Sequence, residues 1–144
     1  MKYQKFPWLI FFLLSLFLSA NSLAFAAKNY SVNRSIKLPE ESNQLELRIE
    51  SVREVENKSG EFVQIGGWAF IKGMDAKNSV FYVVLKSDEK TYIFDTNPVK
   101  KPYVTKNFES LNLDLDDSGF IAQIPKKSIN NGIYAIGVYV QKGK

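Results

Sequence analysis

The fold class is decided by residues 80–95, which read VFYVVLKSDEKTYIFD. Two stretches rich in β-branched and aromatic residues flank the polar residues 87–90, a pattern typical of a β-hairpin. Because side chains alternate between the two faces of a strand, we expect the face that continues to Lys86 to point outward. The outward set is Val80, Tyr82 and Val84, and the core set is Phe81, Val83 and Leu85.

Alternation of apolar and polar residues continues on both sides of this hairpin. The Gly66-Gly67 pair in the preceding strand predicts a β-bulge or a close backbone approach. A bulge there would move the inward face of the strand to Trp68 and Phe70. Strands are predicted at residues 45–50, 62–71, 80–85, 91–95, 120–125 and 133–141, with a further short one near residues 111–115.

These strands and the turns between them predict an all-β protein. About seven strands, with a turn about every 8 to 12 residues, are typical of an immunoglobulin-like antiparallel β-sandwich, and a small β-barrel is the alternative. Residues 44–144 show no good amphipathic helix, and residues 99–113 are the least regular. The chain has no Cys, so the predicted sandwich relies on its hydrophobic core.

The first residues follow the three-part pattern of a secretory signal peptide. Lys2 and Lys5 precede the uncharged residues 8–20, which are mostly Leu and Phe, and the triplet AFA at residues 24–26 is an A-x-A cleavage site. An uncleaved membrane anchor is the alternative, but residues 6–27 reach spanning length only by including polar residues. We therefore predict that the leader is removed and that membrane contact arises only if it is retained.

This leader predicts an exported protein, located in the periplasm, at the cell surface or in the medium. The predicted segments are a signal peptide at residues 1–26, a flexible lead at residues 27–43 and a β-sandwich domain at residues 44–144.

Composition excludes several kinds of chemistry. The chain has 19 basic and 15 acidic residues, and two of its lysines lie in the leader, so the exported part has too small a basic excess to favour nucleic acid as a partner. Without Cys or His, thiol and imidazole nucleophiles, Ser-His-Asp triads and zinc or copper sites built on those side chains are excluded. We predict no catalytic residue and no cofactor.

The acidic residues 114–119 are the sharpest local motif. Asp114, Asp116, Ser118 and the following glycine match the first positions of a calcium loop, but the position of the closing bidentate Glu is held by Pro125. Short polar side chains that bond to the backbone of a turn produce the same pattern. We therefore predict an acidic turn and keep Asp114, Asp116 and Ser118 only as weak metal candidates.

Aromatic residues make up 14% of the chain, and some of them are predicted to face outward. Most aromatic residues in sheets pack in the core or against cross-strand neighbours. Tyr82 and Tyr139 fall on faces predicted to point outward, while Tyr103 and Phe108 lie in the irregular region, where recognition residues are common. These four residues are the predicted binding residues.

Several short motifs resemble a β-sandwich domain of uncharacterised bacterial envelope proteins. They are GWAF at residues 67–70, SGF at residues 118–120 and NGIYAIG at residues 131–137. The resemblance spans residues 45–141 and implies the fold, but no activity. Related sequences carry RPDV where this chain has KPYV at residues 101–104, so no role of an Asp at this place carries over.

Together these observations predict a non-enzymatic β-sandwich that acts in binding or structural interaction at the cell envelope. The expected partner is envelope polysaccharide or another envelope protein. The alternative is a small hydrolase that uses two carboxylates to cleave cell-wall carbohydrate, which requires two acids about 5 to 10 Å apart in a cleft. A third hypothesis is strand addition, in which an exposed sheet edge pairs with another chain.

Overall fold

The structure, a computed structural model, describes residues 1–4 and 38–143 of the 144-residue chain. Its strands are β1 (Lys2–Gln4), β2 (Leu45–Asn57), β3 (Gly60–Ile71), β4 (Ser79–Lys86), β5 (Thr91–Asp95), β6 (Asn97–Val99), β7 (Gly119–Pro125) and β8 (Ala135–Lys142). One α-helix, α1 (Pro102–Asn107), and short 3₁₀ turns at Glu109–Leu111, Asp116–Ser118 and Lys126–Ser128 complete the described elements. The predicted signal peptide after residue 4 and the predicted lead up to residue 37 lie outside the described residues.

The strands form two antiparallel sheets. The β3 sheet has the order β2-β3-β7-β6, and the β4 sheet has the order β8-β4-β5, with β1 added beside β8. Residues 38–143 thus contribute seven strands, in sheets of four and three, which confirms the predicted mostly-β fold and number of strands. One core contains buried residues of both sheets, as expected of a sandwich.

The strand order differs from the predicted immunoglobulin arrangement. Counted from β2, the β3 sheet holds the first, second, sixth and fifth strands, and the β4 sheet holds the seventh, third and fourth. An immunoglobulin constant domain places its first, second, fifth and fourth strands in one sheet. The difference arises because β4 and β5 form a hairpin within one sheet, which leaves β6 and β7 to complete the other.

The hairpin that predicted the fold class consists of β4, an inner strand of the β4 sheet, and β5, an edge strand of the same sheet. Phe81, Val83 and Leu85 are buried in the core, as predicted from the alternation. The sheet extends beyond the hairpin, because β8 pairs with the other edge of β4. One outward residue, Val84, is nevertheless buried.

The glycine pair in β3 produces a close backbone approach. The register of β2 and β3 shifts between Ile49 and Ser51, so the extra residue, Glu50, lies in β2 rather than in β3. A side chain at Gly67 would collide with the carbonyl oxygen of Arg48. Because β3 itself is regular, its core face does not move to Trp68 and Phe70, contrary to the prediction for a bulge in this strand.

Trp68 and Phe70 are buried on the opposite face of β3, beneath residues 100–118, which we call the α1 segment. They form a second hydrophobic cluster with Ala76, Val104 and Leu115. The prediction of a strand near residues 111–115 was wrong, and the short helix α1 was not predicted. The helix has only six residues, too few for a helical period to be visible, although its proline-first start is a common helix signal.

Candidate binding surface

Tyr82 and Tyr139 meet on the outer face of the β4 sheet. They are direct cross-strand partners in β4 and β8, and their rings lie nearly parallel with centroids 5.7 Å apart. Each ring is partly buried. The structure thus brings together two predicted binding residues that are far apart in the sequence.

The neighbouring cross-strand pair extends this surface. Val80 lies opposite Gln141, one step along the same face, and Val80 is among the most exposed apolar residues that the structure describes. The Tyr82 hydroxyl donates a hydrogen bond of 3.5 Å to Oε1 of Gln141. We call these four residues, Val80, Tyr82, Tyr139 and Gln141, the tyrosine patch.

A tyrosine hydroxyl is protonated at neutral pH, and the surroundings of Tyr82 favour that form further. Burial raises the pKa of Tyr82 above its ordinary value, and the nearby carboxylate of Asp95 and the Tyr139 hydroxyl raise it further. Asp95 is the cross-strand partner of Tyr82 on β5. The tyrosine patch therefore combines ring surface with a hydroxyl that stays a hydrogen-bond donor at neutral pH.

Phe108 lies elsewhere, in the second hydrophobic cluster beneath the α1 segment. Its ring packs edge-on against Trp68 and Phe70, with centroids 5.5 Å and 5.2 Å away. Phe108 is therefore separated from the tyrosine patch by the thickness of the sandwich, since the two lie on opposite outer faces.

Tyr103 lies on the same side as Phe108 but is exposed. Its hydroxyl donates a hydrogen bond to Glu50 at the β2 bulge, and Lys101 Nζ lies 2.7 Å from the other carboxylate oxygen of Glu50. The Lys101 ammonium also lies 5.4 Å from the centre of the Tyr103 ring. Glu50, Lys101 and Tyr103 form a polar cluster that ties the start of α1 to β2.

Each member of this polar cluster has a shifted pKa. Burial alone would raise the pKa of Glu50, but hydrogen bonds from Lys101 and Tyr103 and the nearby positive charges lower it below its ordinary value. Burial would lower the pKa of Lys101, but its contacts with Glu50 and Tyr103 raise it. Burial and the bond to Glu50 raise the pKa of Tyr103. The contacts that cause these shifts also hold the start of α1 against β2.

The acidic turn at residues 114–119 is held by a hydrogen bond within the turn and by one from α1. Asp114 Oδ1 accepts the N–H of Asp116 at 3.1 Å, and Asp116 Oδ1 accepts the hydroxyl of Thr105 at 2.5 Å. Ser118 is fully buried. The bond that Asp114 accepts from the turn backbone is the arrangement predicted for an acidic turn, whereas the bond at Asp116 joins the turn to the side chain of Thr105. Within residues 1–4 and 38–143, no group of three acidic residues is arranged to hold a metal ion.

Several other carboxylates bind lysines. Asp117 lies 2.5 Å from Lys100 Nζ, and Glu54 lies 3.2 Å from Lys126 Nζ. The lysine pairs at residues 100–101 and 126–127 thus contribute ion pairs to the sandwich surface.

Sequence reasoning missed the Glu50 cluster, because nothing in the pattern of β2 marks Glu50 as different from the other acids of that strand. Its partners come from another part of the chain.

Comparison with known proteins adds no relative. No family model, no curated protein and no solved structure matches the chain. Among the described residues, no helix is long and apolar enough to cross a membrane.

Proposed function

We propose that the chain is an exported, non-enzymatic β-sandwich that binds envelope polysaccharide through the tyrosine patch. The observation that carries this proposal is the stacked pair Tyr82–Tyr139 on the outer face of the β4 sheet. The opposite outer face is covered by the α1 segment, whereas the tyrosine patch keeps partly exposed rings.

The chemistry of the patch suits a carbohydrate. Aromatic rings offer flat apolar surface to the C–H faces of a sugar, and hydroxyl and amide groups at the rim bond to its hydroxyls. Tyr82 and Gln141 provide these polar groups, and Val80 extends the apolar surface. The leader pattern of residues 1–26 supports export, which would bring the domain to envelope polymers.

The test is retention of the chain from Ala27 onward on purified cell-wall and polysaccharide fractions. We expect Tyr82→Ala and Tyr139→Ala to abolish retention, because each removes one of the two rings. Tyr103→Ala is the matched control, since it removes an exposed tyrosine from the opposite side of the sandwich and should leave retention unchanged.

Two outcomes would contradict the proposal. Retention of both patch variants at the wild-type level would show that the tyrosine patch is not the binding surface. Release of soluble sugar from the fractions would instead favour the predicted alternative, a carboxylate-dependent hydrolase.

A further inference from the structure

The edges of the two sheets differ in how they are protected against pairing with another chain. In the β3 sheet, β2 carries many charged residues and a bulge, and β6 is three residues long and contains Pro98. In the β4 sheet, β5 has five residues and ends at Asp95. Charges, bulges, prolines and short length are the usual protections of an edge strand.

The β8 edge has little of this protection, since its one charge is Lys142 at the end of the strand. It is eight residues long, and residues 135–141 contain no proline and no charge. Its inward residues Ile136 and Val138 are fully buried. A long edge that carries no charge before its last residue is a template for a further strand.

In the structure this edge is occupied by β1, a part of the predicted leader. The pairing is antiparallel, with Lys2 opposite Val138, Tyr3 opposite Gly137 and Gln4 opposite Ile136. Only three residues of β8 are covered in this way. Removal of the leader would leave the whole edge open.

We propose that the β8 edge of the exported chain pairs antiparallel with the β8 edge of a second copy. This inference rests on the proposed export and on removal of residues 1–26. The two β4 sheets would then form one continuous sheet across a twofold axis, and the long β8 edge would be closed by an identical edge.

The register of β1 indicates where the twofold axis lies. A strand that puts Tyr139 of one copy opposite Gly137 of the other repeats the Tyr–Gly pairing that β1 makes with Tyr3. That register places Val138 opposite its own counterpart and Ile136 opposite Val140. Inward neighbours are then all apolar, and an aromatic residue lies beside each edge glycine, a pairing that stabilises sheets.

The charges are compatible with this register. Ala135 lies opposite Gln141 of the second copy, so no like charges meet directly within residues 135–141. The nearest charge on the strand, Lys142, donates hydrogen bonds to the backbone carbonyl oxygens of Asp75 and Lys77 of its own copy. The outer faces of the two β4 sheets are continuous in this assembly, so the two tyrosine patches lie on one surface.

The experiment uses the exported form, residues 27–144, in sedimentation equilibrium and light scattering without any glycan. Both hydrophobic clusters are formed by residues from Leu45 onward, so this form keeps them. We expect a concentration-dependent dimer. A monomer at every concentration up to the solubility limit overturns the proposal, and so does a monomer that binds a peptide of residues 1–8, because the edge would then take a foreign strand.

Two double variants test the register. Ala135→Glu/Gln141→Glu puts like charges directly opposite one another, whereas Ala135→Glu/Gln141→Lys puts opposite charges there. Each pair occurs twice in the dimer, so we expect the second variant to dimerise at least roughly 10-fold more tightly than the first. Equal dimerisation of the two contradicts the proposed pairing, and circular dichroism checks that both remain folded.

Failure of this inference is distinguishable from failure of the proposed function. Dimerisation is measured without glycan, and glycan retention is measured on Tyr82→Ala, whose substitution lies on β4 rather than on the β8 edge. A dimer that retains no glycan supports the edge pairing alone. A monomer that retains glycan supports the tyrosine patch alone.

Discussion

Each outer face of the sandwich carries a pair of aromatic residues, but the two pairs differ in burial. The β3 sheet presents Trp68 and Phe70 on its outer face, and the β4 sheet presents Tyr82 and Tyr139 on its own. The α1 segment buries the first pair, whereas the second pair remains partly exposed.

This difference teaches that an aromatic residue on an outer strand face is not by itself a binding residue. Trp68 and Phe70 have no hydroxyl that must reach water or a ligand, and the segment between β6 and β7 is long enough to cover them. Tyr82 and Tyr139 each carry a hydroxyl, and a face with such groups tolerates water. Burial and exposure therefore separate a structural face from the proposed recognition face.

The largest expected effect is on the covered face. Phe70→Ala should lower the free energy of unfolding by about 3 to 5 kcal/mol, because it leaves a cavity between the sheet and the α1 segment. Tyr139→Ala, its counterpart on the open face, should cost about 1 kcal/mol, mainly the lost ring stacking. Urea unfolding followed by circular dichroism measures both. Similar losses of unfolding free energy for the two variants would contradict the distinction between a covered and an open outer face.

A smaller effect is expected at the glycine pair of β3, which is buried on both faces. Gly67→Ala should cost about 1 to 3 kcal/mol, because the new methyl group would collide with backbone atoms of Arg48 and Ile49. Gly66→Ala is the matched control. Its methyl group would meet the Ser51 hydroxyl at 3.0 Å, a side-chain end that can rotate away. Thermal unfolding should show that Gly67→Ala is the less stable of the two variants. The reverse ranking would mean that the close backbone approach does not lie at Gly67.

The smallest effect is expected where the α1 segment is tied to β2. Glu50→Gln should cost about 1 kcal/mol at neutral pH, because it removes the ion pair with Lys101 but keeps a hydrogen-bond acceptor. The pKa of Glu50 is lowered in the folded chain, so its contribution is present above the ordinary pKa of 4.5 and is lost as the pH falls through the folded value. The pKa of Lys101 is raised, so the same contribution is lost again as the pH rises above 10.5 through the folded value.

The measurement for this cluster is the difference in unfolding free energy between the wild-type chain and Glu50→Gln at several pH values. We expect the difference to be largest between the two pKa limits and to shrink at acidic pH. A difference that is constant from neutral pH to pH 3 would mean that the Glu50 charge does not stabilise the attachment of α1.

The mostly-β fold could be predicted from the sequence because strand signals are local. Alternation placed Phe81, Val83 and Leu85 in the core, and polar residues marked the turn between β4 and β5. The α1 helix could not be predicted in the same way. Its few residues form no full period, and the cluster with Trp68 and Phe70 that stabilises it comes from distant strands.

The candidate site was predictable only as separate residues. The outward positions of Tyr82 and Tyr139 follow from alternation, but nothing in the chain between them indicates that β4 and β8 are neighbours. Tyr103 and Phe108, predicted from their irregular surroundings, lie together on the other side of the sandwich, where Phe108 packs against Trp68. No motif that we recognise within residues 38–143 indicates which ligand the tyrosine patch would bind.

The sequence by itself determined the longer strands, which face of β4 enters the core and which catalytic side chains the protein lacks. These properties depend on residue type and on neighbours a few positions away. Only the tertiary structure decided how the strands outside the β4–β5 hairpin pair, which outer face the α1 segment covers and that two tyrosines meet on the other outer face. Those properties depend on contacts between distant parts of the chain, which burial of apolar surface selects and local pattern does not encode.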